Sequence, residues 1–144
     1  MTHLYFDTSA LVKQYRVEAG SPYVNALMAD AANIIYISDL AVVELTSALT
    51  QYKRMGQIDV GAIQRALTQF KLDAAQRYVL IHFPLNWIKQ ACHQIEHYDL
   101  RALDAIHLAV ALSLNLPSLT VVCADEKLLN AAAKAGLSVL NPLT

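Results

Sequence analysis

Five short apolar runs, rich in β-branched and aromatic residues, alternate along the chain with longer segments that carry helix signals. We predict strands over 3–6, 33–37, 78–83, 119–123 and 137–140. Helices are predicted over 10–18, 21–31, from 38–39 to 55, and over 59–77, 84–98, 101–114 and 125–135. Strands that alternate with helices form a mainly parallel sheet covered on both faces. The fold class is therefore α/β, expected as a three-layer α/β/α sandwich in one domain over residues 1–144.

The composition fits such a domain in a reducing compartment. A length of 144 residues buries a core without disulfides, and Cys92 and Cys123 are both predicted as buried free thiols. The hydrophobic fraction is 56%, but no apolar run approaches the roughly 18 to 20 residues of a membrane span. The opening MTHLYFD has no basic segment before a long apolar stretch, so no secretory signal is visible. We expect a cytoplasmic protein without a membrane partner.

The charge balance limits how nucleic acid could be bound. A net charge of −1, from 11 basic and 12 acidic residues, argues against binding by bulk electrostatics. RNA would have to be held through metal ions or a local basic rim. Candidates for such a rim, most of them explained as well by solvated helix ends, are Lys13, Arg16, Lys53, Arg54, Arg101 and Lys127.

Two predicted strands run directly into an aspartate. HLYF is followed by Asp7, and LTVVCA is followed by Asp125. In parallel sheets, ligands bind outside the carboxyl ends of the strands, near the point where the strand order reverses. Each aspartate could instead cap the helix that follows it, so either one alone would be weak support for a site.

Two further acids interrupt apolar helix segments. Glu44 lies in LAVVELTSAL and Asp104 in RALDAIHLAVAL. Carboxylates are rarely buried unless they are paired or bind a metal, because removing their charge from water is costly. Asp104 has a structural partner available in Arg101, three residues earlier, whereas Glu44 has no basic residue within one turn.

If the four acids converge, they require cations. Two carboxylates about 4 Å apart repel each other by roughly 4 kcal/mol at an effective dielectric near 20. A site made only of anionic oxygens selects hard divalent ions such as Mg²⁺ or Mn²⁺. Such ions are suited to phosphodiester hydrolysis, because they activate a water and neutralise charge on the phosphate.

Four segments resemble the PIN-domain family, and in particular the VapC-type toxins of prokaryotic toxin–antitoxin pairs. They are YFDTSALVK, LAVVELTSAL, LRALDAIHLAVAL and VVCADEKLL, and the resemblance covers essentially the whole chain. It implies an α/β/α fold with a parallel sheet and Mg²⁺- or Mn²⁺-dependent cleavage of RNA. It also implies a cognate antitoxin, whose tail would cover the acidic groove, and frequently a homodimer.

The resemblance also implies roles for individual residues. The catalytic, metal-binding acids of the family carry over to Asp7, Glu44, Asp104 and Asp125. Asp7 and Asp104 are the first choice for direct ligands, with Glu44 and Asp125 at the second position or acting through water. Ser9 matches a small polar residue that hydrogen-bonds within the site, although it could equally cap the first helix.

Other readings of these residues remain open. His107 could be a general base but is expected to be a hydrogen-bonded core residue, and His93 and His97 are expected to form a surface pair. Receiver domains and Asp-x-Asp phosphatases fit poorly, because Pro84 follows the third strand and Ser9 stands where a second acid is needed. A catalytically weak or inactive PIN-fold binding module and a DNA-directed nuclease are the alternatives to the endoribonuclease.

Overall fold

A five-stranded parallel sheet forms the centre of the structure, a computed structural model that describes residues 1–56 and 59–144. The strands are β1 (Thr2–Phe6), β2 (Asn33–Ser38), β3 (Val79–Ile81), β4 (Thr120–Val122) and β5 (Ser138–Leu140). Their spatial order is β3-β2-β1-β4-β5, with β1 paired to both β2 and β4. The chain moves outward from β1 to β3 and then returns to place β4 on the other side of β1. The strand order therefore reverses between β1 and β4.

Helices cover both faces of this sheet. In the described part of the chain they are α1 (Thr8–Tyr15), α2 (Ser21–Ala29), α3 (Asp39–Arg54), α4 (Val60–Gln76), α5 (Trp87–His97), α6 (Ala102–Ser113) and α7 (Glu126–Lys134). Helices α1 to α4 pack around a core that includes Phe6, Leu45 and Phe70. Helices α5 to α7 pack around a second core that includes Tyr5 and Leu108. Tyr5 and Phe6, which are adjacent in β1, therefore point to opposite faces of the sheet, one into each core. The predicted three-layer sandwich is confirmed.

The predicted order of elements is also confirmed, with differences at several ends. Helix α5 begins at Trp87 rather than at 84, because Pro84 opens a turn that the Trp87 backbone N–H closes on the Pro84 carbonyl at 2.9 Å. Strand β3 spans three residues rather than 78–83, and it lies at the edge of the sheet.

The two cysteines differ in their surroundings. Cys123 is a buried free thiol, as predicted, but the prediction of burial for Cys92 was wrong because its side chain is exposed. Helix α5 buries Ala91 and Gln94, and Cys92 lies on the opposite, outward side.

No helix within 1–56 or 59–144 is both long enough and apolar enough to cross a bilayer.

Gly20 makes a close contact that a larger residue would disturb. Its φ of +88° is left-handed, and an added Cβ would lie 3.0 Å from the Pro142 carbonyl oxygen and 3.1 Å from Lys13 Cδ. Gly136 has a similar φ of +96°, but a Cβ added there would have no atom of the described residues within 4 Å. We expect Gly136→Ala to lower the free energy of unfolding by about 1 kcal/mol, from backbone strain alone, and Gly20→Ala by about 2 kcal/mol or more. Urea denaturation measures both values, and equal losses would contradict the steric part of this explanation.

Candidate active site

Asp7 lies at the carboxyl end of β1, where the strand order reverses. Its side chain is 4% exposed and caps α1 by accepting a hydrogen bond from the Ala10 backbone N–H at 3.1 Å. The carboxylate also accepts from Ser9 Oγ, at 2.8 Å to Oδ1 and 2.9 Å to Oδ2, and from the Cys123 thiol at 3.2 Å. Burial raises the pKa of Asp7 above its ordinary value, and His107 and these hydrogen bonds offset the rise only in part. Asp7 is therefore both a helix cap and a buried acid at the expected edge of the sheet.

Ser9 and Cys123 join the end of β1 to the end of β4. Ser9 Oγ accepts from the Ala124 backbone N–H at 3.0 Å while it donates to Asp7. The Cys123 sulfur accepts from the Asp125 backbone N–H at 3.1 Å. Ser9 thus hydrogen-bonds beside Asp7, and the cap of α1 is Asp7 itself rather than Ser9.

Glu44 is held by partners from two other helices, α1 and α6. Its Oε1 accepts from Thr8 Oγ1 at 2.7 Å and lies 2.7 Å from His107 Nε2. His107 is 3% exposed, and its Nδ1 lies 2.8 Å from the hydroxyl of fully buried Tyr5. Burial alone would raise the pKa of Glu44, but the hydrogen bonds from His107 and Thr8 hold it below its ordinary value. Glu44 is therefore a charged acid in a fixed position, half-buried between α3 and α6.

Asp104 and Asp125 share one guanidinium. Arg101 Nε lies 3.6 Å from Asp104 Oδ2, and Arg101 Nη2 lies 3.5 Å from Asp125 Oδ2. The predicted Arg101–Asp104 ion pair is thus present, but it is shared. Asp104 Oδ2 is buried and has no hydrogen-bond partner among the described residues. Burial, followed by the neighbouring Asp125 carboxylate, raises the pKa of Asp104 despite Arg101.

Two of these acids line one pocket at the carboxyl edge of the sheet, and the other two lie beside it. A pocket of about 360 Å³ is lined by Glu44 and Asp104 together with Arg101, Ala102 and Leu103. Asp125 joins it through Arg101, and Asp7 adjoins Asp125 through Cys123.

The donor set fits a hard divalent cation, although the side chains are not yet arranged as ligands. In the part of the chain that the structure describes, no three His, Cys, Asp or Glu side chains are placed to hold an ion together. The available donors are carboxylate oxygens, which Mg²⁺ and Mn²⁺ prefer. Asp104 Oδ2 is a buried carboxylate oxygen that has no hydrogen-bond partner among the described residues, and its one cationic neighbour there is the loosely placed Arg101 guanidinium. The chemistry of the pocket therefore suits Mg²⁺ or Mn²⁺, and binding would require Arg101 to move.

The sequence did not indicate which residues support these acids. His107 was expected as a hydrogen-bonded core residue, which is correct, but its partner Glu44 lies 63 positions away. The only available signal was its place one turn after Asp104 in α6. His93 and His97 form an exposed pair with ring centroids 3.9 Å apart, as expected.

Fold and pocket together define a class: parallel α/β/α proteins with an acidic pocket where the strand order reverses. The sequence model of the PIN domain matches residues 4–134 of this chain. Ribonuclease VapC35 of Mycobacterium tuberculosis is 32% identical over 142 residues, covering 96% of each protein. The chain belongs to the PIN domain family, and the resemblance inferred from the four acidic segments is confirmed.

Solved structures agree on the fold. VapC20 of M. tuberculosis, described as a sarcin-ricin loop cleaving toxin, superposes with a TM-score of 0.68 at 17% identity over 93% of this chain and 95% of that one. VapBC2 of Rickettsia felis was solved with a DNA fragment from its promoter. It has a TM-score of 0.66 at 19% identity, over 97% of this chain and 98% of that one. At this level of identity the comparison supports the fold rather than any individual residue.

Proposed function

We propose that this protein is a Mg²⁺- or Mn²⁺-dependent endoribonuclease that hydrolyses RNA phosphodiester bonds as the toxin of a toxin–antitoxin pair. The observation that carries the proposal is the buried Asp104 Oδ2, which has no hydrogen-bond partner among the described residues, on an acidic pocket at the carboxyl edge of the sheet. The relative VapC35, named a ribonuclease, supports RNA as the substrate class. Residues 1–144 would act as one PIN-like nuclease domain in the cytoplasm.

Each acid has a role that its surroundings support. Asp7 and Asp104 would hold the ion directly, with Glu44 and Asp125 at the second position or acting through water. The ion, when bound, supplies an activated water and neutralises charge on the phosphate and the leaving oxygen. Ser9 and Cys123 orient the Asp7 carboxylate, and His107 and Thr8 keep Glu44 charged and in place. Orientation by such partners matters because ligands work only when their geometry is fixed.

A protein partner follows from the same electrostatics. An acidic pocket attracts an arginine side chain for the reason that it attracts a metal ion. We propose a cognate antitoxin whose basic side chain enters this pocket, as well as a homodimer. A toxin-antitoxin complex from Klebsiella pneumoniae has the same fold, with a TM-score of 0.66 at 19% identity, and supports the antitoxin as a partner.

A cleavage assay tests the proposal. Wild type and Asp104→Asn, each purified free of antitoxin, are incubated with a pool of tRNA, rRNA and mRNA in EDTA, Mg²⁺ or Mn²⁺. We expect discrete fragments from wild type with either metal, none in EDTA, and none from Asp104→Asn. Cleavage that persists in EDTA or in the variant would contradict the carboxylate mechanism.

A PIN-fold binding module is the second candidate function. It is favoured by one observation, the absence of a preformed three-residue ligand group among residues 1–56 and 59–144. Folded wild-type protein that cleaves no RNA with any metal would support this candidate. Equal cleavage of single-stranded DNA would instead indicate a nuclease without preference for RNA.

A further inference from the structure

Arg101 lies between two acids of the pocket but binds neither tightly. It precedes α6, and its side chain is 79% exposed. Its distances of 3.6 Å to Asp104 and 3.5 Å to Asp125 are those of loose ion pairs rather than hydrogen bonds. Within residues 1–56 and 59–144, Asp104 Oδ2 has no hydrogen-bond partner even with this guanidinium beside it.

This arrangement makes Arg101 and a metal ion alternatives. The guanidinium lies 3.6 Å from one oxygen of Asp104 and 3.5 Å from one oxygen of Asp125, so an ion held by these two acids would compete with it. Displacement costs little on the side of Arg101, because its guanidinium is 79% exposed and is solvated by water when it leaves the two acids.

The displaced Arg101 side chain could bind an RNA phosphate at the mouth of the pocket. The pocket is acidic and the protein has a net charge of −1, so RNA phosphates are repelled from the place where they would be cleaved. An arginine offers a planar pair of N–H donors that matches a phosphate. Arg101 lines the pocket and its long side chain is exposed, so it lies where a phosphate would enter.

We propose that Arg101 is an exchangeable counter-ion, which offsets part of the negative charge of Asp104 and Asp125 in the ion-free protein and moves to an RNA phosphate when a divalent ion enters. The inference rests on the proposed function. It makes Arg101 a competitor of the metal ion in the absence of RNA and a contributor to RNA binding in its presence. Arg101 is thus a positioning residue for the substrate.

Metal affinity without RNA tests the first half. Titration calorimetry with Mn²⁺ is carried out on wild type, Arg101→Gln, Arg101→Lys and Arg65→Gln. Arg65 pairs with Asp59 on an exposed surface and serves as a matched control for the loss of one surface arginine. We expect Arg101→Gln to bind Mn²⁺ about 3- to 10-fold more tightly, and Arg101→Lys and Arg65→Gln to resemble wild type. The gain should shrink at high salt, because the side chain is exposed.

RNA binding tests the second half. Fluorescence anisotropy with a mixed-sequence RNA is measured at low temperature, with Ca²⁺ in place of Mg²⁺ or Mn²⁺. Gel electrophoresis verifies that the RNA remains intact. We expect Arg101→Gln to bind RNA more weakly. The RNA association constant of the variant should also depend less steeply on salt, with the magnitude of the slope of log K against log salt reduced by about one.

The outcomes separate the inference from the function on which it rests. If wild type binds no Mn²⁺, the proposed metal-dependent function fails. If wild type binds Mn²⁺ and Arg101→Gln binds it equally or more weakly, the competition is wrong. If the salt slope for RNA is unchanged in Arg101→Gln, the movement to phosphate is wrong.

Discussion

Asp7→Asn is expected to reduce RNA cleavage by at least about 100-fold while leaving the protein as stable as wild type or more stable. A metal-binding carboxylate contributes several kcal/mol to the transition state, and each 1.36 kcal/mol is about tenfold in rate. Asparagine caps helices as well as aspartate, so the hydrogen bond to the Ala10 N–H can be retained. Loss of activity would therefore come without loss of the fold.

The stability half of this prediction depends on pH. Burial raises the pKa of Asp7 in the folded protein, so the native state holds the proton more tightly than the unfolded chain does. The stability linked to this proton is fully present below the unfolded pKa and is lost as pH rises through the folded pKa. Asparagine does not titrate, so in EDTA the variant should exceed wild type in stability at neutral pH, and the difference should diminish toward acid pH.

Thermal unfolding across pH, together with the cleavage assay, measures both halves. Asp59→Asn is the matched control, because Asp59 caps α4 with an exposed side chain away from the pocket. This control should cleave RNA like wild type. An Asp7→Asn protein that unfolds at neutral pH, or that cleaves RNA normally, would contradict the buried-ligand role of Asp7.

His107→Leu is expected to lower the free energy of unfolding by about 2 to 4 kcal/mol and to reduce cleavage as well. The variant leaves the buried Tyr5 hydroxyl and the Glu44 carboxylate without their shared partner. An unpaired buried polar group costs about 1 to 3 kcal/mol, and a charged group costs more. Urea denaturation at neutral pH measures the loss of stability.

A double-mutant cycle separates the hydrogen bonds from the packing. Tyr5→Phe removes the hydroxyl from the same contact, so the double variant has no unpaired group at that end. We expect the double variant to lose less stability than the sum of the two single variants. Strict additivity would mean that the Tyr5–His107 hydrogen bond contributes nothing to stability.

The sequence was sufficient to predict where the acids lie, because both strand-end aspartates follow from local patterns. HLYF before Asp7 and LTVVCA before Asp125 are short buried strands, and parallel topology brings their ends to one edge. Glu44 and Asp104 were recognisable as anomalies, since each interrupts an apolar helix segment. These local features also predicted the order in which strands and helices follow one another along the chain.

The contacts between elements could not be predicted in the same way. Glu44 had no basic residue within one turn, and its partner His107 comes from a helix that packs on the other face of the sheet. The hydrogen bond from Cys123 to Asp7 spans 116 positions and depends on the pairing of β1 with β4. Cys92 was misjudged because the segment around it, WIKQACHQIEH, does not reveal which side of α5 faces solvent.

The strand order also determines when the proposed site can be completed as the protein is made. Strands β1, β2 and β3 are consecutive neighbours, so Asp7 and Glu44 are synthesised first, before the residues His107 and Cys123 that hold them. Asp104 and Asp125 arrive only with α6 and β4, and β4 must then pair back onto β1. If all four acids are needed for cleavage, as proposed, a nascent chain on the ribosome carries only half of them until synthesis is nearly complete and would leave the surrounding RNA intact.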